Sequence, residues 1–115
     1  MAQACLFCRI VKGELPADIV FQDEQALAFR DINPQAPVHL LVIPKRHIPS
    51  LRDFTSDDHD LLAHLLQLCN EMARRFTIAD SGYRVVTNTG RDAGQTVFHV
   101  HWHVLGGRAM HWPPG

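Results

Sequence analysis

Three histidines alternate with apolar residues near the end of the chain, in His99-Val100-His101-Trp102-His103-Val104. On a β-strand, side chains at i, i+2 and i+4 point to one face. The spacing therefore predicts a row of three imidazoles spanning roughly 13 Å between its outer members. Phe98, Val100, Trp102 and Val104 would line the opposite, apolar face. Three kinds of chemistry use such residues. A histidine can be a satisfied structural side chain. His-x-His can be a two-ligand unit for zinc, which for catalysis needs a third protein ligand and an open position. A neutral imidazole can also be a nucleophile that neighbours orient. Strict alternation of three, beside a glycine-containing loop, weighs against a purely structural reading.

That loop is Thr89 to Thr96, with glycines at 90 and 94. Backbone N–H groups freed of side-chain bulk by Gly94, together with the Thr96 hydroxyl, could cradle a phosphate. The same composition also makes ordinary turns. Cys5-x-x-Cys8 has the spacing of half a zinc site, or is a pair of small buried thiols.

Other elements must hold these groups in place. Residues 5–12 read as a short helical or irregular lead-in. Ile19-Val20-Phe21 and Ala26 to Arg30 form a strand pair around Asp23-Glu24. Asp31 to Pro37 carries two prolines and reads as a loop. Val38 to Ile43 is an apolar central strand. Asp57-Asp58 opens the one long helical pattern, where acidic residues suit the positive end of the dipole. Its apolar stripe is Leu61, Leu62, Leu65, Leu68, Cys69, Met72 and Phe76. Tyr83 to Asn88 and Val97 to Leu105 are the last strands. The class is α+β with a largely antiparallel sheet.

The bulk numbers bound the functional classes. A chain of 115 residues, 46% hydrophobic and 20% charged, fits one domain over 1–115. A net charge of −1 offers no basic field for nucleic acid. No apolar run approaches the ~20 residues that cross a membrane, and no signal-peptide core is seen. A cytoplasmic protein is expected. Three cysteines, an odd count, argue against a disulfide framework.

The segment from Gly94 to Arg108, containing His99-Val100-His101-Trp102-His103-Val104-Leu105, resembles the signature of the histidine-triad superfamily. The tail Gly106 to Gly115 and the segment Asp31 to Ile48 resemble its histidine triad nucleotide-binding (Hint) branch. The likeness covers essentially the whole chain. It implies a HIT-like fold: a five-stranded, mostly antiparallel sheet, one long helix, a short N-terminal helix, and sheets joined across a two-fold homodimer. It also implies a hydrolase acting on purine nucleoside phosphoramidates and acyl-adenylates, which passes through a nucleotidyl-histidine and releases AMP or GMP.

Carried onto this sequence, the resemblance makes His101 the nucleophile, with His103 hydrogen-bonding phosphate oxygens and His39 orienting the triad. Gln95 and Thr96 would donate to the phosphate or leaving group, beside Gly94 and Asn88. Asp31 would accept from the ribose hydroxyls, and Phe7, Ile10 and Ile32 would wall the base. Cys5, Cys8, His47 and His99 would form a structural zinc site, with no cofactor needed for catalysis. The Trp112 tail would reach the partner's active site. Two other readings stay open: a nucleotide-binding regulatory module with negligible turnover, and a zinc-dependent hydrolase using the histidines as ligands.

Overall fold

The computed structural model describes residues 5–115. Its element order is α1 (Leu6–Val11), β1 (Ile19–Gln22), β2 (Ala26–Arg30), β3 (Val38–Pro44), α2 (His59–Arg75), β4 (Tyr83–Val86) and β5 (Trp102–Gly106). The five strands form one antiparallel sheet in the order β1-β2-β3-β5-β4. The α+β architecture expected from the sequence is the one observed.

Alternation along β3 and β5 gives the sheet two working faces. Leu40 and Val42 on β3, with Trp102 and Val104 on β5, pack against the buried stripe of α2: Leu61, Leu65, Leu68, Cys69 and Met72. On the other face Leu27, Phe29, Leu41 and Ile43 pack against Phe7 of α1. Because α1 has only six residues, it covers part of that face and leaves the rest for a site. His39 and His103 lie on this second face. His103 stands opposite Leu41 and His39 opposite Leu105 in the β3–β5 register.

The short turn that leads into α2 is fixed by a capping box. The Thr55 N–H donates to Asp58 Oδ2 at 2.9 Å, while the Asp57 N–H donates to Thr55 Oγ1. Arg46 also pairs with Asp58, tying the turn after β3 to the helix start. One 3-10 turn, Ser56–Asp58, precedes the α-helix, so Asp57 and Asp58 stand ahead of α2 as the dipole argument requires.

Two strands are shorter than the sequence predicts. β5 begins at Trp102, not at Val97. In the β3–β5 register Val42 faces Trp102, so Val100 would face Pro44, which has no N–H to continue the ladder. Val100 instead donates its N–H to the Ile48 carbonyl at 2.7 Å. The chain from Val97 to His101 is thus irregular, and the expected flat row of three imidazoles is corrected to a bent one. Phe98 is also corrected: it is 57% exposed, while Val100, Trp102 and Val104 are buried as expected. β4 ends at Val86, and Thr87 donates its hydroxyl to the His101 carbonyl at 2.8 Å, capping that irregular segment.

Gly106 shows how tightly the sheet end is closed. A Cβ there would lie 2.9 Å from Ile78 Cβ and 2.6 Å from its Cδ1. Ile78 is itself buried, so it has little room to move. Gly106→Ala is expected to destabilise the protein by about 1–3 kcal/mol through overpacking. Thermal denaturation checks this, and adding Ile78→Val should recover part of the loss.

Candidate active site

The site lies where α1, β3, β5 and the segment before β5 meet. His101 Nδ1 sits 2.8 Å from the His99 carbonyl. A carbonyl only accepts, so Nδ1 carries the proton and Nε2 keeps its lone pair. Phe7 fixes the ring from the side by an edge contact, with centroids 5.2 Å apart at 81°.

A second chain of contacts sets the tautomer of His103. The Gln35 N–H donates to His39 Nδ1 at 3.0 Å, so the proton of the neutral His39 ring sits on Nε2. That Nε2 lies 2.9 Å from His103 Nδ1 and 3.3 Å from Asp31 Oδ2. His103 Nδ1 therefore accepts, and its proton sits on Nε2. The two rings of the pair end up opposite: His101 offers a bare nitrogen and His103 offers an N–H. Their centroids are 5.1 Å apart. Asp31, His39 and His103 are also close enough to hold a metal ion. However, His39 spends its Nδ1 lone pair on Gln35 and its Nε2 proton on its neighbours, so a hydrogen-bond relay fits these contacts better than ligation.

Burial holds these rings neutral. It lowers the His103 pKa to about 4, with the nearby His101 and His39 adding to the effect and the Asp31 carboxylate opposing it. Burial also lowers His39, again against Asp31. Burial lowers His101 too, and here the His99 carbonyl and the Asp31 charge oppose it.

His101 and His103 open onto a cavity of about 430 Å³. Phe7, Ile10, Phe29 and Leu41 make its apolar side, and Asp31, Ile32 and Thr96 also line it. Its size is that of a small-molecule site. Asp31 Oδ1 accepts from the Asn33 N–H at 2.8 Å, which holds its carboxylate at the rim. Ile32 lines the same rim but is 98% exposed, so it is an open lip rather than a buried wall.

The glycine loop is arranged differently from expectation. The Gly94 N–H donates to Arg91 and the Gln95 N–H to Gly90, so both are spent within the loop. The Gln95 side chain is buried. Its Nε2 donates to the Pro49 and Val97 carbonyls at 2.7 and 3.1 Å, and its Oε1 accepts from the Gly90 N–H. Gln95 is therefore a brace that shapes the loop. Of the expected phosphate contacts on this loop, Thr96 is the one that lines the cavity. Asn88 lies beside His103 in a different, smaller cavity.

The four expected metal ligands converge. One ligand atom each from Cys5, Cys8, His47 and His99 lie within 4.8 Å of one another. Cys5 Sγ is 3.4 Å and Cys8 Sγ 3.6 Å from His99 Nδ1, and Cys8 Sγ is 3.2 Å from His47 Nδ1. Tetrahedral zinc holds sulfur and nitrogen ligands about 3.6 Å apart. His99 Nε2 donates to the Pro44 carbonyl at 2.7 Å, which leaves Nδ1 bare toward the sulfurs. The donor set, spacing and tautomer all fit zinc. The Cys5 sulfur accepts from the Cys8 N–H at 3.3 Å, so it also caps α1. Without a cation, burial and the neighbouring Cys5 raise the Cys8 thiol to about 11.

Sequence reasoning missed Pro44, Gln35 and Pro49, whose backbone groups set the tautomers and hold the brace. Backbone donors and acceptors carry no residue-type signal, so the pattern could not show them.

A histidine-lined cavity on the open face of a five-stranded antiparallel sheet defines the class of protein at hand. The HIT domain family profile matches residues 12–110, and the chain belongs to that family. A HIT family hydrolase from Legionella pneumophila Philadelphia 1 has a solved structure similar at TM-score 0.95 and 52% identity, over 96% of this chain and 99% of that one. A histidine triad nucleotide-binding protein from Candida albicans is similar at TM-score 0.81 and 32% identity, over 96% and 83%. A zinc-bound histidine triad family protein from Mycobacterium smegmatis is similar at TM-score 0.78 and 36% identity, over 94% and 78%.

Two predictions follow from this geometry. Purified protein is expected to carry one zinc ion per chain by elemental analysis. Cys8→Ser should lose that zinc and lower the melting temperature by about 5 °C or more. The second concerns pH. Unfolded His39 and His103 titrate near the ordinary imidazole value of 6.5, but their folded pKa values lie lower. Below pH 6.5 the unfolded state thus binds more protons, and stability falls as pH falls toward 4. Melting curves between pH 7.5 and 4.5 should show this drop, reduced in His39→Gln.

Proposed function

We propose that this protein is a hydrolase of the histidine triad nucleotide-binding branch, cleaving the P–N bond of purine nucleoside 5′-phosphoramidates. The observation that carries the reading is the opposed tautomers of His101 and His103 on one nucleotide-sized cavity. A bare nitrogen beside an N–H donor suits attack on phosphorus with the phosphoryl oxygens held by hydrogen bonds. The likeness to a HIT family hydrolase and to a histidine triad nucleotide-binding protein supports it.

In the proposed reaction the base lies against Phe7 and Ile10, and Asp31 accepts from the ribose hydroxyls. His101 Nε2 forms a bond to phosphorus as the P–N bond breaks, and the amine departs with a proton taken from solvent, balanced by the proton that the attacking water later returns. The ring becomes cationic while Nδ1–H stays on the His99 carbonyl, whose dipole stabilises that charge. Water then attacks phosphorus, gives up a proton, and releases the nucleoside monophosphate with Nε2 restored. His103 Nε2–H and the Thr96 hydroxyl donate to the phosphoryl oxygens. Zinc at Cys5, Cys8, His47 and His99, when bound, supplies a structural crosslink. The working form is a homodimer in the cytoplasm, in keeping with the branch.

The direct test is AMP release from adenosine 5′-phosphoramidate. His101→Ala is expected to lose on the order of 10⁴-fold or more in kcat with melting behaviour retained. A short chelator treatment that leaves the fold intact should leave turnover in place. Binding of AMP without turnover of any amidate would assign the protein as a regulatory module instead. Loss of turnover on chelation with the fold intact would assign a metalloenzyme.

A further inference from the structure

The proposed hydrolysis leaves two nucleophilic side chains unused, Cys5 and Cys8, and one side of their cluster is open. Structural zinc sites are ordinarily closed. Here Cys8 and His99 are buried, but Cys5 and His47 are half-buried and line a cavity of about 460 Å³. Leu6, Pro49, Val97 and Phe98 make most of the rest of its wall. We infer that Cys5 and Cys8 form a hydroperoxide-reactive pair, whose oxidation to a disulfide gives up the zinc held at this cluster.

Cys5 and Cys8 stand one helical turn apart, since the Cys5 carbonyl accepts from the Arg9 N–H at 3.1 Å. One turn places their Cα atoms about 5 Å apart, inside the range that a disulfide spans. Both sulfurs approach the same nitrogen, His99 Nδ1, at 3.4 and 3.6 Å. They therefore lie on one side of α1, within 4.8 Å of each other. Side-chain rotation can close the bond while the backbone stays in place.

Cys5 is the sulfur that a solute meets first. It lines the cavity, whereas Cys8 is 7% exposed and Cys69 is 1% exposed in the core. Zinc ligation holds both Cys5 and Cys8 as thiolates, the nucleophilic form. The Cys5 sulfur attacks the outer oxygen of the hydroperoxide, the O–O bond breaks, and an alcohol or water leaves after taking a proton. The Cys8 sulfur then attacks the Cys5 sulfenic acid. The S–S bond forms, and hydroxide departs as water with a proton from solvent. The two sulfurs lose two electrons and the peroxide gains them. His47 and His99 remain of the four ligands, and two neutral imidazoles do not hold zinc as the full set does. The disulfide closes within one turn of α1, so it does not replace the ties from α1 to His47 and His99.

The experiment uses the full chain, reduced, loaded with zinc and freed of reductant, with hydrogen peroxide as the probe. One zinc ion per chain is expected to pass to a colorimetric chelator, in step with a loss of about 2 Da in intact mass as two thiols become a disulfide. Peptide mapping should find Cys5 linked to Cys8, with Cys69 still reduced. Dithiothreitol followed by added zinc should restore both starting values. In the metal-free protein, brief iodoacetamide treatment should label Cys5 about tenfold faster than Cys8 or Cys69. Zinc retained with no change in mass under excess peroxide overturns the inference. So does a link to Cys69 or to a second chain, a gain of oxygen without a disulfide, or labelling of Cys8 or Cys69 as fast as Cys5. A chain that takes up no zinc but forms the Cys5–Cys8 link keeps the reactive pair and rejects the metal.

Discussion

His99 ties the two halves of this site together. Its ring is fully buried, with Nε2 on the Pro44 carbonyl and Nδ1 facing Cys5 and Cys8. Its carbonyl holds His101 Nδ1. One residue thus anchors the metal-type cluster with its side chain and fixes the His101 tautomer with its backbone. Moving the ring out of the cluster would move the carbonyl, and His101 would lose its defined proton. The short α1 works from the same junction, since Cys5 and Cys8 face His99 while Phe7 touches the rings of both His99 and His101.

Burying this many imidazoles is costly unless each ring nitrogen has a partner. The chain meets that requirement largely with main-chain groups: the carbonyls of Pro44 and His99, and the N–H of Gln35. Among the described residues no buried side-chain nitrogen or oxygen lacks a partner. The same contacts that satisfy the rings also choose their tautomers. Stability and reactivity therefore draw on the same hydrogen bonds, and the rings stay neutral because burial leaves an imidazolium poorly solvated.

The sheet makes this arrangement possible by dividing its labour. α2 and its apolar stripe cover one face and supply most of the buried core. The other face is half covered by α1, and its open half carries His39 and His103 in register on neighbouring strands. A longer first helix would close that face. A missing one would remove the two facing thiols and the aromatic wall together.

Much of this was legible in the sequence, because side-chain alternation and helical periodicity are local properties. The strands around Ala26–Arg30 and Val38–Pro44, the stripe of α2 and the convergence of Cys5, Cys8, His47 and His99 match the residues that the sequence singled out. The break in the histidine strand did not show, because it comes from Pro44, a residue on the neighbouring strand that cannot donate to Val100. The role of Gln95 was likewise hidden, since its partners Pro49 and Val97 are backbone carbonyls brought near by the fold. Residue types and spacing determined which groups are present and which face they favour. Tertiary structure decided which ring nitrogen carries each proton, because that choice is made by main-chain donors and acceptors that look the same at every position in a sequence.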